Sequence, residues 1–264
     1  MTDEELIGRW RAEEREQPSG WSFADLEGRM TTDATPWDFA ATCATALRAA
    51  QRVLDMGTGG GETLLALRDR ALAEGGPLPA SITATEGWPA NVPVARAALA
   101  PHGIDVVAFG QSDDDPAPAP MPFGDGTFDL VLDRHESYHP VEVARVLAPG
   151  GTFLTQQVGG DELGELRDLL GHEPAAPHVR YAPFRQALLD AGLEVTDGAE
   201  HVGRYTFVDV AALVAYLQRV PWQVPEDFTV DRYADRLLEL HRRTGGGPVA
   251  LTMTRFWLRA RRRT

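Results

Sequence analysis

The sequence predicts an α/β fold with a doubly wound, mostly parallel sheet, and three observations lead to this prediction. From residue 51 onward, short apolar runs alternate with longer amphipathic stretches, which is typical of βαβ units. A glycine-rich turn joins the first of these runs to the amphipathic stretch that follows it. The 264 residues, with 43% hydrophobic and 24% charged content, suffice for one large α/β domain or for one domain with a helical appendage.

The predicted elements begin with an N-terminal helical region. Residues 3–50 have a helical pattern, which includes the segment WSFADLEGRM and a helix start with Pro36 at its first position. We therefore assign residues 1–50 to an N-terminal helical cap and residues 51–264 to the α/β domain, with a helical insertion at about 208–243. The predicted strands are RVLDM, SITATE, IDVVAF, FDLVLD, GTFLTQQV, LEVTDGAEHVG and ALTMTRFWLRAR. The predicted helices of the α/β domain are ETLLALRDRALAE, NVPVARAALA, VEVARVLA, YAPFRQALLDAG, VDVAALVAYLQRV and TVDRYADRLLELHRR.

Composition and charge argue against several classes of protein. A net charge of −14 argues against a nucleic-acid partner, because binding to a phosphate backbone depends on Lys and Arg. No apolar run approaches the roughly 18 residues that a membrane span needs. The single cysteine, Cys43, excludes an internal disulfide framework and is expected to be a small core residue. We expect a cytoplasmic protein without nucleic-acid or membrane partners, and the oligomeric state stays open.

The glycine-rich turn has the spacing of a ligand-binding loop. Asp55, Gly57, Gly59 and Gly61 follow the pattern D-x-G-x-G-x-G between a predicted strand and a predicted helix. Glycines let the backbone turn sharply and approach a ligand closely, and the helix that follows offers free N–H groups. The next strand ends in Glu86, whose carboxylate is suited to accept hydrogen bonds from the two hydroxyls of a ribose. The pattern therefore predicts a nucleoside site at this edge of the sheet.

Four segments give the chain its resemblance to a known family. In LDMGTGGGE, TATE, MPFGDGTFDLVL and EVARVLAPGGTFLTQQVG, in this order, it resembles the class I S-adenosylmethionine-dependent methyltransferases of the small-molecule type. The resemblance covers roughly residues 35–260 and implies a Rossmann-like, seven-stranded sheet with an antiparallel last strand. It also implies S-adenosylmethionine as cofactor, S-adenosylhomocysteine as product and a small organic molecule as methyl acceptor. The alternative of a dinucleotide dehydrogenase fits less well, because that class has a different glycine spacing, G-x-G-x-x-G.

The resemblance also assigns roles along the cofactor site. It implies that the loop from Asp55 to Gly61 holds the methionine part of the cofactor and that Glu86 holds the ribose. Gly87 and Trp88 are expected beside the adenine, and Ser112 and Asp113 are the candidates for the adenine amino group. Which of the acidic residues 113–115 serves there stays open. The cofactor-binding candidates are Asp55, Gly57, Thr58, Gly59, Gly61, Glu86, Gly87, Trp88, Ser112, Asp113 and Asp133.

A second motif, HESYH at residues 135–139, is a literal match to the zinc-binding pattern HExxH. Zinc binding needs both histidines on one face of a helix, but a predicted strand precedes the motif and Pro140 follows it. Proline disfavours the helical conformation at the preceding residue, so His139 would end the helix. We therefore expect no metal here and expect a loop.

In the methyltransferase pattern this loop follows the fourth strand and faces the methyl group of the cofactor. His135 is the candidate general base or substrate contact, and Arg134 is the candidate clamp for an anion or a carboxylate. Two rivals stay open: a protein that binds S-adenosylmethionine without methyl transfer, and a zinc hydrolase that uses His135, Glu136 and His139. The candidates for the acceptor pocket are Trp37, His139, Gln157 and Trp222.

Overall fold

The structure is a computed structural model that describes residues 1–16, 23–111, 119–174 and 176–264. The helices are α1 (Asp3–Arg15), α2 (Phe39–Ala49), α3 (Glu62–Ala73), α4 (Val92–Leu99), α5 (Pro140–Val146), α6 (Gly164–Leu170), α7 (Tyr181–Asp190), α8 (Val210–Leu217) and α9 (Ala234–Arg243). The strands are β1 (Met30–Thr32), β2 (Arg52–Met56), β3 (Ser81–Glu86), β4 (Asp105–Ala108), β5 (Phe128–Arg134), β6 (Leu147–Val158), β7 (Leu193–Phe207) and β8 (Val249–Arg262).

The strands form one sheet in the order β1-β7-β8-β6-β5-β2-β3-β4. Strands β6, β5, β2, β3 and β4 pair in parallel, whereas β8 runs antiparallel to β6. The predictions of a mostly parallel sheet and of an antiparallel last strand are thus confirmed. The carboxyl ends of β2, β3, β4 and β5 meet at one edge, which is where open α/β sheets bind their ligands.

The expected seven strands are corrected to eight. The additional strand β1 pairs antiparallel with the end of β7, with Met30 opposite Phe207. It lies at the end of the segment WSFADLEGRM, which we expected to be helical. Gly28 takes a left-handed φ of 71° just before β1, and the two threonines of β1 have high strand propensity.

Helix α2 begins three residues later than expected. The prediction placed Pro36 at the first helical position, but α2 begins at Phe39. Asp38 is the N-cap, and its side chain accepts a hydrogen bond of 2.7 Å from the N–H of Ala41. An acidic cap satisfies a donor that the first turn leaves without a partner, so it sets the start of the helix more strongly than the proline.

The chain folds into two compact units. The first comprises residues 1–35, 159–178 and 201–254, and its core contains Trp10, Phe207 and the whole of α8. The second comprises residues 36–158, 179–200 and 255–264 and contains the glycine-rich turn. In its core, Leu47, Leu64, Leu99, Leu130 and Leu154 pack around β2, and Cys43 is buried there as expected. No helix in the described part of the chain has the length and apolar character required to cross a bilayer.

Candidate functional site

The turn between β2 and α3 contains three left-handed glycines. Gly57, Gly59 and Gly61 have φ values of 60°, 62° and 92°. The backbone of the turn is tied to β3, because the N–H of Thr58 donates to the carbonyl of Thr85 at 2.8 Å. Residues with a β-carbon rarely adopt this conformation, so the D-x-G-x-G-x-G spacing follows directly from the backbone path.

These glycines differ in what surrounds them. A β-carbon at Gly61 would lie 2.9 Å from Cδ2 of Leu99 in α4, so this position needs a glycine for packing as well. A β-carbon at Gly59 would meet no atom within 4 Å. Gly61 therefore brings α3 close to α4, while the backbone at Gly59 borders open space that a ligand can occupy.

Asp55 is the penultimate residue of β2. Burial raises the pKa of its carboxyl to about 7, and the nearby hydroxyl of Thr58 acts in the opposite direction. That hydroxyl makes no hydrogen bond of normal geometry to any described residue. An unfolded aspartate titrates near pH 4, so the folded chain retains a proton on Asp55 at pH values where the unfolded chain does not.

Replacement of Asp55 by asparagine is therefore expected to stabilise the protein increasingly as the pH rises. Between about pH 4 and pH 7 the folded wild type binds more protons than the unfolded chain, so its free energy of unfolding falls with pH. An asparagine side chain does not titrate, so the variant lacks this loss. Urea denaturation at pH 4.5, 6.0 and 7.5 should show a growing difference in the free energy of unfolding between Asp55→Asn and wild type, and a constant difference would contradict the pKa assigned to Asp55.

Glu86 ends β3 with a preset orientation. Its side chain is 6% exposed, and Oε1 accepts a 2.7 Å hydrogen bond from the N–H of Trp88. The other oxygen, Oε2, accepts no hydrogen bond from the residues that the structure describes, which leaves it available to a ligand. The side chain of Trp88 is 50% exposed next to it, so an anionic acceptor and an exposed aromatic ring stand together at the tip of β3.

Gly87 fits closely against the end of β4. A β-carbon there would lie 2.7 Å from the Cα of Gly110. The two backbones thus approach each other as closely as only glycines allow. This contact is sufficient to explain why residue 87 is a glycine. The position next to the adenine that the resemblance implies for Gly87 stays a prediction.

Asp133 organises the loop that follows β5. Its Oδ1 accepts from the N–H of Glu136 at 3.1 Å, and its Oδ2 accepts from Thr155 Oγ1 and Gln157 Nε2, each at 2.9 Å. Gln157 Nε2 also donates to the carbonyl of Glu136 at 3.0 Å. Burial raises the pKa of Asp133 well above its usual range. Asp133 and Gln157 both hold the loop in place by these bonds.

The same loop brings the Glu136 side chain onto the glycine-rich turn. A β-carbon at Gly57 would lie 2.5 Å from Glu136 Oε2, and one at Gly110 would lie 3.5 Å from Oε1. The carboxylate therefore lies between the carboxyl ends of β2 and β4. No local pattern in the sequence shows that Glu136 contacts a glycine 79 positions earlier.

The HESYH segment is a loop, as expected. His135 has a left-handed φ of 66°, and α5 begins only at Pro140. The N–H of His135 donates to the carbonyl of Gln156 at 2.9 Å, and the N–H of His139 donates to Gln111 Oε1 at 2.5 Å. The two histidines therefore do not share a helix face. Across the described ranges, no group of three or more His, Cys, Asp or Glu side chains is placed to hold a metal ion.

His135 lies in a partly desolvated, electropositive setting that lowers the pKa of its imidazole. Its side chain is exposed to solvent, yet enough protein surrounds it for desolvation to lower its pKa well below the usual range. The neighbouring charges of Arg255 and Arg134 lower this pKa further. At neutral pH the ring can accept a hydrogen bond or a proton, although its low pKa makes it a weak base.

The remaining candidates are distributed as follows. Trp37 donates from Nε1 to Gln156 Oε1 at 3.0 Å, which places it over the end of β6. Trp222 lies in the other unit, on a short 3-10 turn, and is 47% exposed. Ser112 and Asp113 lie outside the described residues.

Comparisons with known proteins agree with this arrangement. Residues 54–155 match the family model described as a methyltransferase domain. A proposed methyltransferase from Bacillus halodurans C-125 is 19% identical over 85% of this chain and 99% of that chain, with a TM-score of 0.56. The YcgJ protein from Bacillus subtilis is 19% identical over 86% and 98% of the two chains, with a TM-score of 0.54. A functionally unknown protein from Deinococcus radiodurans R1 is 18% identical over 98% of each chain, with a TM-score of 0.52. None of the curated proteins compared with this chain matches it.

The fold is therefore that of the class I methyltransferases. Residues 54–155 span β2 to β6, and thus contain the glycine-rich turn, Glu86 and the loop after β5. The match to the methyltransferase-domain family is confined to this segment of the chain. The match supports S-adenosylmethionine-dependent methyl transfer as the activity.

Proposed function

We propose that the chain transfers a methyl group from S-adenosylmethionine to a small organic acceptor. The observation that carries this proposal is the orientation of Glu86. Its Oε1 is held by the N–H of Trp88, and its Oε2 is left available beside an exposed tryptophan, inside the segment that matches the family. A ribose with two vicinal hydroxyls fits such an acceptor oxygen.

The rest of the cofactor site is consistent with this ligand. The left-handed turn at Gly57 to Gly61 precedes α3, whose first N–H groups are available to a carboxylate such as that of a methionine moiety. Open space borders Gly59, so the turn has room for the ligand. When bound, S-adenosylmethionine supplies an electrophilic methyl group, and the residues of this chain orient it towards the acceptor.

We assign the acceptor side to the loop after β5. Methyl transfer is an in-line displacement, so alignment of the two reactants accounts for most of the catalysis. The neutral ring of His135 is available to accept a proton or a hydrogen bond from the acceptor, and Arg134 is available to an anionic group. His139, Gln157 and Trp222 stay predictions for the acceptor pocket.

Isothermal titration calorimetry of the purified chain tests the proposal. We expect saturable, one-to-one binding of S-adenosylmethionine and of S-adenosylhomocysteine, because both contain the ribose and the methionine part that the site is proposed to hold. Adenosine triphosphate serves as the control, because it contains the same ribose but has a triphosphate in place of the methionine part, and we expect it to bind more weakly. Absence of heat with both methionine-containing ligands would rule the proposal out.

A further inference from the structure

We infer that Arg134, Gln156 and Arg255 form a binding site for an anionic group of the acceptor, either a carboxylate or a phosphate. This inference rests on the proposed function, because it gives the substrate class of the same site. All three residues belong to the second unit, at the carboxyl ends of β5 and β6.

The strand register places the three side chains on one face of the sheet. Arg134 on β5 is the Cα partner of Gln156 on β6, and Gln156 is the partner of Trp257 on β8. Arg255 precedes Trp257 by two residues and so points to the same face. The Cα atoms of the two arginines are then roughly 12 Å apart, a span that two long side chains can close around one anion.

Trp37 determines which end of the Gln156 amide faces the ligand. An indole N–H can only donate, so the atom 3.0 Å from Trp37 Nε1 is the amide oxygen of Gln156. The amide nitrogen, Nε2, is consequently directed elsewhere and donates to none of the residues that the structure describes. Gln156 is 9% exposed, so its donor has a defined direction and little access to bulk water.

Arg134 has a positive charge that the described residues do not balance. Its polar contact is the hydroxyl of Thr63, 3.3 Å from Nη1, and it forms no ion pair with the residues that the structure describes. The chain contains 39 acidic residues against 25 basic ones, so carboxylate partners are abundant elsewhere. The pKa of Arg134 is lowered, first by desolvation and then by the charge of Arg255. A negative charge bound beside Arg134 raises this pKa and so opposes both effects.

The donor set matches an oxyanion. Guanidinium groups bind carboxylates and phosphates through charge-assisted N–H bonds, and an amide N–H adds a directed neutral bond. Apolar groups do not use such donors. The anion also affects His135, because a negative charge beside it opposes the lowering of its pKa by Arg134 and Arg255. Binding of the acceptor thus makes His135 a stronger base.

Calorimetric titration with sodium benzoate and with inorganic phosphate tests the site in the full chain. Arg134→Gln removes one charge, and Gln156→Glu keeps an acceptor oxygen for Trp37 while it replaces the amide donor by an anion. Both variants are expected to weaken the preferred probe by roughly tenfold or more, since a charge-assisted hydrogen bond contributes that much. Arg261→Gln is the matched control. It removes the same charge from the far end of β8, where Arg261 donates to the carbonyl of Gly150, and it should change affinity less than twofold.

The two probes identify the kind of anion, because a carboxylate site prefers benzoate and a phosphate site prefers inorganic phosphate. A second readout is the pKa of the His135 imidazole, measured by nuclear magnetic resonance, which should rise when the preferred probe is bound. Absence of saturable binding of both probes, or equal losses in Arg134→Gln and Arg261→Gln, overturns the inference. Binding of S-adenosylmethionine is measured on the same samples. If the chain binds S-adenosylmethionine but neither anion, only this inference is rejected. If it binds an anion but not S-adenosylmethionine, the proposed function is rejected.

Discussion

Replacement of Glu86 by alanine is expected to weaken S-adenosylmethionine binding by at least about 100-fold. Two charge-assisted hydrogen bonds to ribose hydroxyls are lost, each contributing about 1.5–3 kcal/mol. The N–H of Trp88 loses its 2.7 Å acceptor at the same time. Calorimetry of the variant and of wild type measures the change.

Glu86→Gln is expected to bind S-adenosylmethionine with an affinity between those of wild type and Glu86→Ala. An amide oxygen can still accept from the N–H of Trp88, but the amide nitrogen then replaces Oε2, and an acceptor becomes a donor. Glu194→Ala is the matched control, because it removes the same charge from an exposed position of β7 in the same unit. If Glu86→Ala and Glu194→Ala bind the cofactor equally well, Glu86 does not hold the ribose.

Replacement of Gly61 by alanine is expected to lower the free energy of unfolding by about 2–5 kcal/mol. A left-handed φ of 92° costs a residue with a β-carbon about 1–2 kcal/mol. The new methyl group would also lie 2.9 Å from two carbons of Leu99, a fully buried side chain, and overpacking of this kind costs about 1–3 kcal/mol. Urea denaturation followed by circular dichroism measures the sum.

Gly59→Ala separates the two contributions. Its φ of 62° imposes similar backbone strain, but its β-carbon would meet no atom within 4 Å. We expect it to be destabilised by the strain alone, about 1–2 kcal/mol. If Gly59→Ala and Gly61→Ala lower the free energy of unfolding equally, Leu99 and α4 shift to accommodate the new methyl group without an energetic penalty.

Most of the parallel sheet could be predicted because its signals are local. RVLDM forms β2 and SITATE forms β3, since a short apolar run bounded by turn residues is typical of a buried strand. The helix pattern of ETLLALRDRALAE likewise corresponds to α3. The three glycines of the turn could be identified for the same reason. Each has a positive φ, and glycine is the residue that adopts this conformation most readily.

Short elements escaped prediction because distant partners stabilise them. Strand β1 has three residues, too few for an alternating pattern, and it exists because the end of β7 offers a free edge. Helix α6 was missed as well. It follows Leu163, which has a left-handed φ of 53°, and its seven residues begin with glycine, so neither a cap nor a long amphipathic repeat marks it.

By itself, the sequence determined the class of fold, the glycine-rich turn and the carboxylate at the tip of β3, because each depends on residues close together in the chain. It also required Gln156 and Gln157 to face opposite sides of β6. Only the tertiary structure decided that Gln157 holds the loop through Asp133 and that Gln156 is oriented by Trp37. It alone placed Glu136 on Gly57. These contacts depend on strand order and register, and they join residues that lie 24 to 119 positions apart.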